Sequence, residues 1–171
     1  MTMLSDQVQA TLVTQSHLFQ CKVATGGQRL QEVLNLSLTT FLQIFDVSVY
    51  RYSNQSELLV KFAKATILKS EVLFALLQTE TYEAPQKRIY AYVQKNNVRA
   101  FMTISDYDIQ GLMHFASYID PLSFLALDGK NFVPVTQASI SHGRVTGTLL
   151  SSPVVLARRA AISFLHFTSL D

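Results

Sequence analysis

Val8-Gln9-Ala10-Thr11-Leu12-Val13-Thr14, continuing through Phe19-Gln20-Cys21-Lys22-Val23, is the stretch that decides the fold, because the chain offers it a second time. Set above Val98-Arg99-Ala100-Phe101-Met102-Thr103-Ile104 and Ile109-Gln110-Gly111-Leu112-Met113, it places Val8 on Val98, Ala10 on Ala100, Phe19 on Ile109 and Gln20 on Gln110. One inserted residue keeps the register going. Phe41-Leu42-Gln43-Ile44 then meets Phe132-Val133-Pro134-Val135, and Val47-Ser48-Val49 meets Ala138-Ser139-Ile140. A third block sets Ile67-Leu68-Lys69 against Val155-Leu156-Ala157. Self-similarity of this kind marks a supersecondary unit used more than once. The reading is two tandem units, 1–84 and 85–171, with Pro85 and the polar run Gln86-Lys87-Arg88 between them.

Outward from that stretch, Val8 to Val13 and Leu18 to Ala24 mix β-branched with polar residues and are separated by Thr14-Gln15-Ser16, which predicts an antiparallel hairpin. Gly26-Gly27 ends the second strand, since glycine takes turn conformations at no steric cost. Gln28 to Leu36 reads helical, with Leu30, Val33 and Leu34 at i, i+3, i+4. Phe41 to Tyr50 alternates as a strand. Leu58 to Gln78 is ambiguous: Lys61, Lys64 and Lys69 suit an amphipathic helix, whereas Val60, Thr66, Ile67 and Val72 favour two strands with a turn at Ser70-Glu71. Ser152-Pro153 and Arg158-Arg159 in the second unit favour the strands. The second unit also suggests an approach strand at Ile89 to Val93 and hairpins at Asp128-Gly129-Lys130-Asn131 and His142-Gly143-Arg144. Each unit therefore reads β-β-α-β-β-β in a mainly β (α+β) chain. Small antiparallel sheets or barrels would pack face to face or continue edge to edge, related by a pseudo-twofold.

Composition narrows the function classes. Of 171 residues 49% are apolar and only 15% charged, against about 25% charged in an average soluble chain. Disorder is excluded, and a surface short of charge favours association with itself or with another protein. A net charge of +2 is too small for a general polyanion binder. No uncharged apolar run approaches the ~20 residues that cross a bilayer, and the first residues lack the cationic and apolar regions of a signal peptide, so no membrane partner and a cytoplasmic location are expected. Cys21, the single cysteine, can form no disulfide within the chain.

Arg29-Leu30-Gln31-Glu32-Val33-Leu34-Asn35 followed by Phe41-Leu42-Gln43-Ile44-Phe45-Asp46-Val47-Ser48-Val49-Tyr50 resembles a bacterial domain of unknown function with the pattern R-L-x-x-x-L-N, then F-L-x-L-x-D-V-x-V. In the second half Asp120-Pro121-Leu122 stands at the Arg-Leu start and Gln137 at the place of Asp46. That resemblance implies no activity. Ile67-Leu68-Lys69-Ser70-Glu71-Val72-Leu73-Phe74 is similar to the closing strands of Sm-like RNA-binding barrels, a likeness of fold from which no RNA-binding residue is carried over.

The chemistry-bearing residues are sparse. Cys21 lies mid-strand opposite a counterpart glycine, Gly111, which suits a packed thiol better than a nucleophile. His17, His114, His142 and His166 show no ligand spacing, so no metal or other cofactor is expected. Asp106-Tyr107-Asp108 reads as a solvated turn, and Gly26-Gly27 lacks the Gly-Lys-Ser/Thr ending of a phosphate loop. Cations interleaved with rings, the mixture that single-stranded nucleic acid binders use, occur at Lys61, Lys64, Lys69, Lys87, Arg88 and Arg99. The expectation is a non-enzymatic module that binds protein or assembles with itself. A nucleic-acid binder using those cations is the first alternative. The second is a small-molecule binder or enzyme with Asp106, Asp108 or His114 in a cleft between the units.

Overall fold

The computed structural model describes residues 6–78, 96–126 and 129–169. Among them, strands β1 (Gln7–Val13), β2 (His17–Ala24), β3 (Phe41–Arg51), β4 (Asn54–Leu68) and β5 (Phe74–Leu77) make the N-terminal half, with helix α1 (Leu30–Asn35) between β2 and β3. Strands β6 (Asn96–Ile104), β7 (Tyr107–Phe115), β8 (Phe132–His142), β9 (Val145–Arg158) and β10 (Ile162–Ser169) make the C-terminal half, with helix α2 (Pro121–Ala126) between β7 and β8. A 3₁₀ turn precedes the last strand of each half, at Lys69–Glu71 and Arg159–Ala161.

Local chemistry explains the elements. Gly26 and Gly27 take φ of 56° and 78°, the left-handed conformations that turn the chain out of β2. Six-residue α1 is too short to hold itself. It is kept by its buried Leu30 and Leu34, by a Glu32 carboxylate that accepts from the Arg29 N–H (3.2 Å), and by the Lys69 ammonium, which reaches its far end from outside the helix. Helix α2 begins on Asp120, whose carboxylate accepts from the Ser123 N–H and hydroxyl (2.9 and 2.7 Å); these bonds hold it below the ordinary aspartate range. Leu58 to Gln78 resolves as strand, turn, strand, because β3 pairs with β4 from Asn54 to Leu68, with register shifts between Val49 and Arg51.

All ten strands join one antiparallel sheet in the order β10-β6-β7-β8-β9-β5-β1-β2-β3-β4. The sheet thus continues edge to edge. Each half has its fifth strand beside its first, followed by the second, third and fourth. The pairings correspond in register as well. Ala10 opposes Cys21 as Ala100 opposes Gly111, and Gln20 opposes Ser48 as Gln110 opposes Ser139. Ser48 opposes Lys61 as Ser139 opposes Ser151. The third strand of each half carries an irregularity at a matched place, where Asp46 and Gln137 take φ of 50° and 48° beside register shifts in β2·β3 and β7·β8.

Three expectations need correction. The halves meet through β5 and β9, a fifth strand on a fourth, so no twofold brings like strand to like across the join. Phe41 opposes Leu68 as Phe132 opposes Arg158, which matches Leu68 with Arg158 and shifts the third sequence block by two residues. A two-residue slip keeps every side chain on its face, so apolar pattern alone does not detect it. Gly129 to Asn131 leads from α2 into β8 rather than closing a hairpin; Asp128 and Ile89 to Val93 lie outside the described residues.

Two cores lie along the sheet. One, in the N-terminal half, gathers Leu12, Val23, Leu30, Leu34, Ile44 and Val49; the other, in the C-terminal half, gathers Met102, Ile104, Ile109, Phe124, Val135 and Ile140. The strands at the join feed both. Ala75 and Leu77 of β5 point into the first core while Phe74 and Leu76 point into the second, and β9 divides the same way between Val154 and Leu156 and Val155 and Ala157.

Candidate functional site

The two halves meet where β5 pairs antiparallel with β9. Phe74, Ala75, Leu76 and Leu77 oppose Ala157, Leu156, Val155 and Val154, and all eight are buried. The Arg158 N–H donates to the Leu73 carbonyl (2.9 Å), and Arg158 Nε donates to the Val72 carbonyl (2.9 Å). Helix α1 reaches across the same seam. Its Asn35 accepts from the Phe132 N–H through Oδ1 (2.7 Å), while Asn35 Nδ2 and Gln31 Nε2 donate to the Phe132 carbonyl (3.1 and 3.3 Å). Phe132 is fully buried in the first core.

At the two ends of the sheet the corresponding strands face solvent. Strand β4, the fourth of its half, is exposed over most of its 15 residues, including Leu58, Val60, Phe62 and Leu68, with only Ala65 and Ile67 packing partly against the first core. Strand β10, the fifth of its half, packs Leu165 and Phe167 partly against the second core and leaves Phe164 and His166 outside. Phe74 is 0% exposed and Phe164 53%; Phe132 is 0% exposed and Phe41 54%. Among the described residues neither end strand has a partner on its outer side, and an exposed apolar edge of that kind can template another chain.

The structure separates the cations singled out in the sequence. Lys61 and Lys64 are exposed on the β4 edge, where the Lys64 ammonium lies 5.7 Å from the Phe45 ring centre. Lys69 is buried: Nζ donates to the Val33 carbonyl (2.7 Å), the Leu36 carbonyl (3.0 Å) and Thr39 Oγ1 (2.7 Å), capping the end of α1. Burial holds this ammonium below the usual lysine range. Arg99 is exposed on β6, in the other half and near the opposite end of the sheet. Lys87 and Arg88 lie outside the described residues.

The remaining candidates are committed to structure. Cys21 is buried, and desolvation pushes its thiol up to about 12, far from the thiolate a nucleophile needs. His114 Nε2 lies 2.7 Å from Thr136 Oγ1. Asp106 meets Arg144 Nε at 3.2 Å on the surface. The His142 ring stacks on Tyr52 (4.4 Å between centres) and meets Tyr107 edge-on, while Tyr107 packs against Phe74; burial, chiefly, pushes the Tyr107 hydroxyl above its ordinary range. Among the described residues no cluster of three or more His, Cys, Asp or Glu could hold a metal ion. A notch of about 530 Å³ beside the join has Asn35, Lys69 and Arg158 in its wall, and each is engaged with backbone carbonyls. No helix among the described residues is long and apolar enough to cross a membrane.

Sequence reasoning overlooked Phe41 and Phe164. The signal was present, since both fall at positions matched by an aromatic residue in the other half, but only the strand order reveals that one member of each pair has no cover. No protein family, curated protein or solved structure matches the chain.

Proposed function

We propose that the chain is one β-rich unit used twice, over 1–84 and 85–171, and that it works as an assembly module whose open sheet edges bind protein. The single observation that carries this reading is the β5·β9 join, where a fifth strand is seated on a fourth with every side chain buried. The matched registers and the paired irregularities at Asp46 and Gln137 support the duplication. The exposed apolar β4 and β10 support the role, because nothing within the described residues covers them. The paired residues of the join are all apolar and buried, which favours a packing role there over a cleft. Light scattering on the purified full chain across the micromolar range tests the proposal. The expected result is a mass above the single-chain 19.2 kDa that falls on dilution, or a stable stoichiometric complex with a co-purifying protein. A strict monomer at every concentration, with no such partner, overturns it.

A further inference from the structure

Resting on that assembly reading, we infer that the occupant of each free edge is a second copy of this chain, with β10 of one copy pairing antiparallel with β4 of the next as β5 already pairs with β9.

The template fixes the register. The pairings of β5 and β10 with the first strand of their halves, Leu12 with Ala75 and Met102 with Leu165, match Phe74 with Phe164 and Leu77 with Phe167. Matching Leu68 with Arg158 in the same way places Ala157 on Ile67 and Val154 on Lys64. Transferring the join then sets Phe164 opposite Ile67 of the next copy, Leu165 opposite Thr66, His166 opposite Ala65 and Phe167 opposite Lys64. Facing agrees with register. Leu165 and Phe167 already pack toward their own core, as Ala75 and Leu77 do, so Phe164 and His166 point where Phe74 and Leu76 point, into the neighbour's core.

The helices fall at the same place, although α2 carries Leu122 and Ala126 where α1 has Gln31 and Asn35, so its contact is apolar rather than hydrogen-bonded. Helix α1 holds the backbone of Phe132 and packs Leu30 and Leu34 in the core that Phe132 enters. In the next copy the residue matched to Phe132 is the exposed Phe41, and the helix that would face it is α2, whose Leu122 and Leu125 are exposed. Apolar surface left bare on β10, α2, β4 and Phe41 thus falls on the two complementary sides of one contact. That contact is heterologous, which repeats around a ring or along a filament. It is also more polar than the internal join, with Lys64, Thr66 and His166 where Val154, Leu156 and Leu76 stand. Association between chains should therefore reverse on dilution while the join within a chain stays closed.

Two blocked variants test it. Phe164 and Phe41 are both about half exposed, so Phe164→Glu and Phe41→Glu should keep the native circular dichroism while each blocks one side. Each variant alone is expected at the single-chain mass, and an equimolar mixture at twice that mass, because each supplies the edge the other lacks. Pairing of like edges predicts instead that at least one variant still dimerises alone and that mixing adds nothing, which would overturn the inference. A second variant pair reads the register: Ala65→Cys with His166→Cys should give disulfide-linked multimers on oxidation, and Ala65→Cys with Leu165→Cys should not. An oligomer that gives no such cross-links and ignores both Glu substitutions sinks this inference while leaving the assembly reading intact. A chain monomeric throughout sinks both.

Discussion

Gly111 shows how much a single position carries. It opposes Ala100 across β6·β7 and sits beside the irregularity of β8, where an added Cβ would lie 2.6 Å from Val135 Cγ1 and 2.8 Å from the Thr136 carbonyl oxygen. Backbone cannot yield as a flexible side chain does, so Gly111→Ala should destabilise the native state by about 1–3 kcal/mol in chemical unfolding. Gly143→Ala is the control: its nearest neighbour is 3.8 Å away and its loss should be small. Equal effects would mean that the close approach of β7 and β8 is not what position 111 serves. The sequence made the small residue legible by setting Gly111 on Cys21, but it could not say which neighbour enforces the size. The same limit applies to Lys69, which reads as one more cation in a basic stretch until the fold bends α1 over it.

Elements of this size depend on their ends. Helix α1 has six residues, and one buried ammonium bonds its last carbonyls, with the Leu36 N–H also reaching Val33. Lys69→Met keeps the length and the burial of the stem but leaves the Val33 and Leu36 carbonyls without that donor. A loss of about 1–3 kcal/mol is expected in denaturant unfolding. Lys64→Met, on the exposed edge, should change stability by no more than about 0.5 kcal/mol. Similar small effects for both would show that the cap contributes nothing. At this scale strands were legible where polar and apolar residues alternate, as in Phe41 to Tyr50, and the turn at Ser70-Glu71 was legible from the break between two apolar runs. The register of the last block was not, because in a strand a shift by two preserves every face.

For the molecule as a whole, composition and repetition pointed to a mainly β chain prone to associate, and the ten-stranded sheet agrees with the first part of that reading. What no residue pattern contains is the order of strands across the join. Phe74 and Phe164 look alike in the sequence; one is buried in the second core beside β9 and against Tyr107, and the other is open at the end of the sheet. The account rests on the open strands finding in another chain what the covered ones have within their own. Backbone hydrogen exchange resolved by residue, followed as concentration rises, reads this directly. The outward-pointing alternate amides of residues 64–67 and 164–167 should gain protection with concentration, approaching the concentration-independent protection of residues 74–77 and 154–157. If the end strands exchange as free edges at every concentration while the internal join stays protected, the open edges do not pair between chains.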